Sequence, residues 1–334
     1  MAVNLWLGLG LTLVAGMFSG NCMLPMKFAK RWPFEATWLI FSLVSLVALP
    51  WALAFALVKD VGAVYAALPA GAFVAPLVFG AGWGIAQVLF GLTVARLGMA
   101  LGYAIIVGLG AMLGTLVPLF VKNRAVIATG RGALILGGVA LMVLGIAVAA
   151  RAGKLREGSG KTAGSGYAAA LAMAVLCGVM APMLNYAFAF GQSIADEAVR
   201  QGTSAAAAGY AVWPIGLLGG LIPNLGYSLW LLTRNRTWKH FAMAWSPDAW
   251  FGGAMAVLWV GAIATYGVAS VYLGALGTSV GWALFQIFMI MTANLAGVVT
   301  GEWKGVEPAA RRGLWTGLAL LTLATVAIAA GNAA

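Results

Sequence analysis

ARLGMALGYA, residues 95–104, returns as GALGTSVGWA, residues 274–283. At an offset of 179, Leu97 aligns with Leu276, Gly98 with Gly277, Gly102 with Gly281 and Ala104 with Ala283, and Tyr103 faces Trp282. Each copy sits where a third apolar segment turns into a fourth. The second segments agree loosely, LPW at 49–51 against IPN at 222–224. The spacing predicts two five-helix repeats, 1–151 and 167–334, joined by a hydrophilic linker at 152–166. Five is odd, so the second half enters a membrane upside down relative to the first. Inverted halves are typical of alternating-access transporters, whose substrate sits near the midplane between them. The competing reading is chance, because short matches arise easily in a chain so rich in Gly, Ala and Leu.

Composition leads to the same solvent. The chain has 334 residues, of which 63% are hydrophobic and 8% charged, with a mean hydropathy of +0.99. Soluble domains carry about 25% charged residues, so lipid must be the solvent for most of this chain. The 46 glycines suit close helix approach and the 14 tryptophans suit the two interfaces. A net charge of +11 would suit a nucleic-acid partner, but the basic residues sit in short turns between apolar runs and read as topology anchors. Cys22 and Cys177 lie in apolar segments, which leaves no disulfide framework and no zinc spacing. The first apolar run starts at once, without a basic leader or a small-residue cleavage site. It reads as a first membrane helix rather than a removed signal.

Hydropathy predicts an all-α integral membrane protein with ten transmembrane helices, at about 4–25, 34–57, 69–94, 99–121, 131–151, 167–190, 209–233, 249–273, 277–300 and 312–331. Each is near the roughly 20 residues that cross a hydrocarbon core, and barrel strands would be about half as long. The longer connections, 152–166, 191–208, 234–248 and 301–311, are too short for a soluble domain. The connections after helices 1, 3, 5, 7 and 9 hold 14 Lys and Arg, against 5 on the other side. That bias predicts odd connections in the cytoplasm and both termini outside.

Few charges fall within the helices. Glu35 begins helix 2, Glu302 ends helix 9, Arg96 ends helix 3, and no acid lies at a midpoint. A neutral polar substrate fits that pattern better than a charged one. The amides and phenols are the candidate binders: Asn21, Gln87, Asn185, Tyr186, Asn224, Tyr227, Tyr266, Gln286 and Asn294. A sugar needs amides for its hydroxyls and an aromatic plate for its C–H face. Trp38, Trp83, Tyr103, Trp213 and Trp282 could be plates. Against this stands helix–helix glue, the common task of intramembrane Asn and Gln. Pro25, Pro50, Pro76, Pro118, Pro182, Pro214 and Pro223 offer kinks or joints.

Glu35 has two readings. One is an interfacial acid favoured by the helix dipole and paired with Lys27, Lys30 or Arg31; the other is a proton-coupling site. Glu302, with Lys304 nearby, is a second such candidate. GLGAMLG at 108–114 lacks dinucleotide-loop spacing, and NRT at 235–237 is a glycosylation look-alike on the cytoplasmic side. The single histidine, His240, sits in a basic loop, and with eight acids in all a membrane-embedded enzyme is disfavoured. No cofactor and no metal is expected.

With these residues in place, the chain resembles the bacterial L-rhamnose–proton symporter family of the drug/metabolite transporter superfamily. The resemblance runs nearly the whole length. It is carried by CMLPMKFAKRWPFEATW (22–38), LPW (49–51), FGAGWGI (79–85), LTVARLGMALG (92–102), LGTLVP (113–118), VLCG (175–178), NLG (224–226) and GEW (301–303). It implies the drug/metabolite transporter fold and proton-driven import of rhamnose or a related neutral monosaccharide through a bacterial inner membrane. Lys27, Lys30, Trp32, Glu35 and Trp38 match the family's basic–aromatic–acid junction, and Gln87 and Asn224 match its amide positions. The turn Ala275–Gly277 is shorter and less polar than in the enterobacterial form. Helix 9 from Ser279 to Asn294 diverges, and Asn185 and Tyr186 lack clear counterparts, which leaves the sugar open. An exporter of drugs or metabolites is the alternative. The expected partners are sugar, proton and lipid, without nucleic acid, in a monomer or weak dimer.

Overall fold

The computed structural model describes residues 4–97, 99–157, 167–243 and 246–333. Gly98 of the first repeat copy, the linker residues 158–166, and the side chains of Lys27 and Tyr103 lie outside the described residues.

Among the described residues every regular element is helical, and ten stretches are long and apolar enough to cross a membrane. We number them span 1 (Leu5–Met26), 2 (Phe34–Leu57), 3 (Gly71–Thr93), 4 (Ala104–Lys122), 5 (Gly130–Arg156), 6 (Ala168–Arg200), 7 (Ala205–Arg234), 8 (Pro247–Tyr272), 9 (Gly274–Val299) and 10 (Pro308–Ala333). The side chains turned outward are apolar, among them Trp6, Val78, Ile222, Val299 and Val326. A bundle solvated by lipid requires such a surface.

Span 6 corrects one expectation. Composition predicts a loop from 191, yet Gln192–Arg200 is helical. Its sequence, QSIADEAVR, is amphipathic: Ile194, Ala195 and Ala198 are buried while Asp196 and Arg200 face out. Polar content hid a helical period. Span 5 likewise continues helically to Glu157, past the expected end at 151.

The prolines divide into two kinds. Pro76, Pro118 and Pro223 sit inside unbroken helices. Pro50 follows a widened turn, Val44–Ala48, where the Leu49 N–H donates to the Val44 carbonyl five residues back. Pro182 separates Tyr167–Met180 from Met183–Phe190. A missing N–H and a ring clash explain both interruptions.

The spans pack as 1 on 8 and 9, 3 on 6 and 7, 4 on 5, 6 and 9, 2 on 7 and 8, 5 on 10, and 9 on 10. Spans 3 and 7 meet backbone to backbone. A Cβ added at Gly80 would lie 1.8 Å from the Gly216 carbonyl oxygen, one at Gly219 2.1 Å from that of Leu77, and one at Gly84 2.6 Å from that of Gly220. Small residues permit this approach in lipid, where dispersion rather than water drives association.

The connections sort onto two faces. The Arg31 and Trp32 N–H groups donate to Asp248 at 2.6 Å, and Arg156 pairs with Glu302 at 3.1 Å. These links join connections that follow odd-numbered spans. On the other face the Lys59 N–H donates to Thr203 Oγ1 at 3.1 Å and Asn123 Nδ2 to the Ala275 carbonyl at 3.3 Å. Both termini belong there, because the Asn4 N–H reaches the Tyr272 carbonyl and Asn332 Nδ2 the Leu273 carbonyl, each at 3.1 Å.

Candidate substrate and proton site

The break at Pro182 frees the start of the next helix to turn Asn185 and Tyr186 inward. Asn185 is fully buried. Its Nδ2 donates to the carbonyls of Gly114 and Thr278, each at 2.9 Å, and its Oδ1 accepts from the Tyr266 hydroxyl at 2.5 Å. One amide thus links spans 4, 6, 8 and 9. The Tyr186 hydroxyl donates to the Leu113 carbonyl at 2.8 Å and Trp282 Nε1 to the Gly110 carbonyl at 3.2 Å. Gly114 has to be glycine, because a Cβ there would lie 2.1 Å from Trp282 Nε1. Tyr266 completes a wall of rings with Phe188, Trp282 and Phe285 at centroid distances of 5.4–6.1 Å. The network stands toward the face that carries the termini, since Tyr266 and Thr278 flank the span 8 to span 9 turn.

A second group lies toward the opposite face. Trp38 Nε1 donates to Asn224 Oδ1 at 3.1 Å, and Asn224 Nδ2 donates to the Gly220 carbonyl at 2.9 Å. From Trp38 an aromatic chain runs through Phe41 and Trp259 to Trp83, the last pair stacked at 5.2 Å. Trp83 lies against Gly220, where a Cβ would come within 2.8 Å of its ring.

The remaining amides are less engaged. Asn21 and Asn294 are half-buried and, among the described residues, donate only to carbonyls four residues back in their own helices, at 2.8 Å each. Gln87, half-buried, and Gln286, buried near the middle of span 9, make no side-chain hydrogen bond among the described residues. An amide carries both donors and an acceptor, so these two side chains have the chemistry to take a ligand's hydroxyls. Tyr103 precedes span 4 in the same helix, Met99–Lys122, with its side chain outside the described residues.

The two acids are placed differently. Glu35 is buried at the first turn of span 2, and its Oε1 accepts from Asn235 Nδ2 at 3.0 Å and Thr237 Oγ1 at 2.8 Å. These are two members of the NRT triplet, which the sequence offers only as a glycosylation look-alike. Glu302 is more exposed and bonds Arg156, whose guanidinium also stands 4.9 Å over the Trp303 ring. Asp248 escaped the sequence reading altogether, although Ser246–Pro247–Asp248 is a helix-start signal that could have flagged it. Its carboxylate holds the connection before span 2, as Glu35 holds the connection after span 7. The two acids form a reciprocal clamp on spans 2, 7 and 8.

Comparison with known proteins places this arrangement in context. The family model described as L-rhamnose-proton symport protein (RhaT) matches residues 1–334. A protein of Mannheimia succiniciproducens named L-rhamnose-proton symporter is 28% identical over 329 residues, covering 95% of this chain and 96% of its own. Proteins of the same name from Klebsiella pneumoniae and Escherichia coli are 27% and 26% identical over 301 and 300 residues, covering 86% of this chain and 87% of theirs.

Proposed function

The chain belongs to the L-rhamnose-proton symport protein family, and on that premise we propose that it imports L-rhamnose or a related neutral monosaccharide with a proton, by alternating access. The full-length family match carries this reading. The site chemistry supports it, because amides and indoles are at hand inside the bundle and no acid lies at a span midpoint.

The two halves would be inverted five-helix repeats of the drug/metabolite transporter fold, 1–151 and 167–334. Helix packing supports this. Exchanging each span with the one five positions away turns the pair 1–9 into 6–4, 1–8 into 6–3, 3–7 into 8–2, and 4–5 into 9–10, and each partner pair is also in contact. Charge bias puts the odd connections in the cytoplasm and the termini in the periplasm of a bacterial inner membrane.

Substrate would be held by Gln87 and Gln286, whose amides make no hydrogen bond among the described residues, with Asn21, Asn294 and Tyr103 as further candidates. Trp38 would serve as the plate, oriented by Asn224. Asn185 and Tyr186 would hold the periplasmic side closed in the conformation described here. Glu35 is the favoured coupling acid and Glu302 the lesser one. Protonation of Glu35 would turn charge-assisted bonds from Asn235 and Thr237 into weaker neutral ones, about 1.5–3 kcal/mol against about 0.5–1.5 kcal/mol each. Proton gain would thereby loosen span 2 from the connection after span 7. No covalent step is needed, and the residues bind and switch.

Uptake into proteoliposomes with an imposed inward proton gradient tests the reading. L-rhamnose should accumulate, and closely related deoxyhexoses should compete. Movement of aromatic cations without any sugar would sink it.

A further inference from the structure

A cavity of about 270 Å³ opens where span 9 turns into span 10, lined by Val298, Trp303, Lys304, Gly305, Arg311, Leu314 and Trp315. We propose that it binds the headgroup of an anionic phospholipid, with Lys304 and Arg311 on the phosphodiester and Val298 and Trp315 against the glycerol and upper acyl chain.

Three observations carry this. First, the two cations are exposed and join no ion pair among the described residues. Nearby Glu302 is bonded to Arg156, so Arg156, Lys304, Arg311 and Arg312 stand against Glu302 and Glu307, four positive charges to two negative. Second, the lining is two-sided. Lys304 and Gly305 belong to the connection and Arg311 to the first turn of span 10, whereas Val298 sits in the last turn of span 9 and Leu314 and Trp315 lie one turn further into span 10. A soluble anion would use only the charged half; a lipid presents phosphate and hydrocarbon in that same order. Third, Trp315 is 51% exposed and Val299, next to the lining residue Val298, is 85% exposed, so the cavity's rim opens outward, while buried Leu314 closes its floor. Trp303 is buried beneath Arg156 and forms the cavity's inner wall. Two backbone turns at Gly301 and Gly305, with φ of +85° and +70°, fold the connection tightly enough to bring Lys304 beside span 10.

The test is native mass spectrometry of the full chain released from membranes of mixed phosphatidylethanolamine and phosphatidylglycerol. Wild type should retain phosphatidylglycerol in preference. Lys304→Gln with Arg311→Gln should lower that retention about tenfold or more, at about 1 kcal/mol per cation near the surface. Arg312→Gln, a neighbour outside the lining, should leave it unchanged. Equal loss in the Arg312→Gln variant, or equal retention in the double variant, would overturn the site in favour of diffuse charge. Displacement by millimolar soluble glycerol phosphate would overturn the lipid in favour of a free anion. As a second readout, phosphatidylglycerol brominated on its upper acyl chain should quench wild type more than Trp315→Phe. The excess should vanish in the double variant, and its persistence there would also defeat the proposal.

Discussion

Glu35 is held by two donors from one connection, and that geometry makes its two readings separable. Glu35→Gln keeps a side chain able to accept from Asn235 and Thr237 but cannot carry the proton. Sugar exchange at equal concentrations should persist in this variant, while accumulation driven by a pH gradient should fall to background. Accumulation with a wild-type pH profile would reduce Glu35 to an anchor. Thr237→Val removes one donor at 2.8 Å. It should slow transport without abolishing coupling. Asn185 answers a different question, because its oxygen is matched to a single phenol. Tyr266→Phe leaves Asn185 Oδ1 without its 2.5 Å donor in a fully buried setting. The cost should be about 1–3 kcal/mol, read as a lower thermal midpoint in detergent. An unchanged midpoint would mean that the network does not hold the bundle closed.

Helix packing sets the next level, and glycines decide it unequally. Gly80→Ala would drive a methyl group to 1.8 Å from the Gly216 carbonyl, so spans 3 and 7 must separate. A loss of about 1–3 kcal/mol is expected, as for an overpacked core. Gly91→Ala in the same helix meets nothing within 4 Å. It should be neutral or stabilise by about 0.5–1 kcal/mol through helix propensity. Comparing the two thermal midpoints checks the packing of this one pair. The same contrast shows what the sequence made legible. Glycine abundance announced close packing, but position in a contact is not written in composition, and Gly80 and Gly91 read alike. Ten spans were legible because hydropathy is a property of each segment alone. The helix Gln192–Arg200 was not, because its polar content masks the amphipathic period that buries Ile194, Ala195 and Ala198. Glu35 was legible as an acid at a helix start. Its partners Asn235 and Thr237 lie about 200 residues away in sequence and carry no local mark of the pairing. Asn185 could be named as a polar residue in lipid, but not as the tie between four spans.

At the scale of the whole molecule, the question is which face meets the cytoplasm. Fourteen Lys and Arg on the odd connections against five opposite them favour, by charge bias, the proposed orientation with the odd connections in the cytoplasm. Two of the five contrary residues have local tasks that explain their place. Lys122 donates to the Ala189 carbonyl and stands 5.7 Å from the Phe190 ring, bracing span 4 against the lower part of span 6. Arg131 donates from Nε and Nη2 to the Gly331 and Asn332 carbonyls, both at 3.2 Å, and so caps the end of span 10. Charges committed to carbonyl caps are present for packing, and discounting them strengthens the orientation. The two native cysteines, Cys22 and Cys177, are buried, so engineered thiols will report cleanly. Lys59 and Lys239 are exposed on opposite faces. In intact cells a membrane-impermeant maleimide should label Lys59→Cys and spare Lys239→Cys, and opening the inner membrane should make both reactive. The reverse pattern would invert the molecule while leaving its packing untouched. It would turn the Asn185–Tyr266 network toward the cytoplasm, and with it the direction from which, on the proposed function, the sugar is offered.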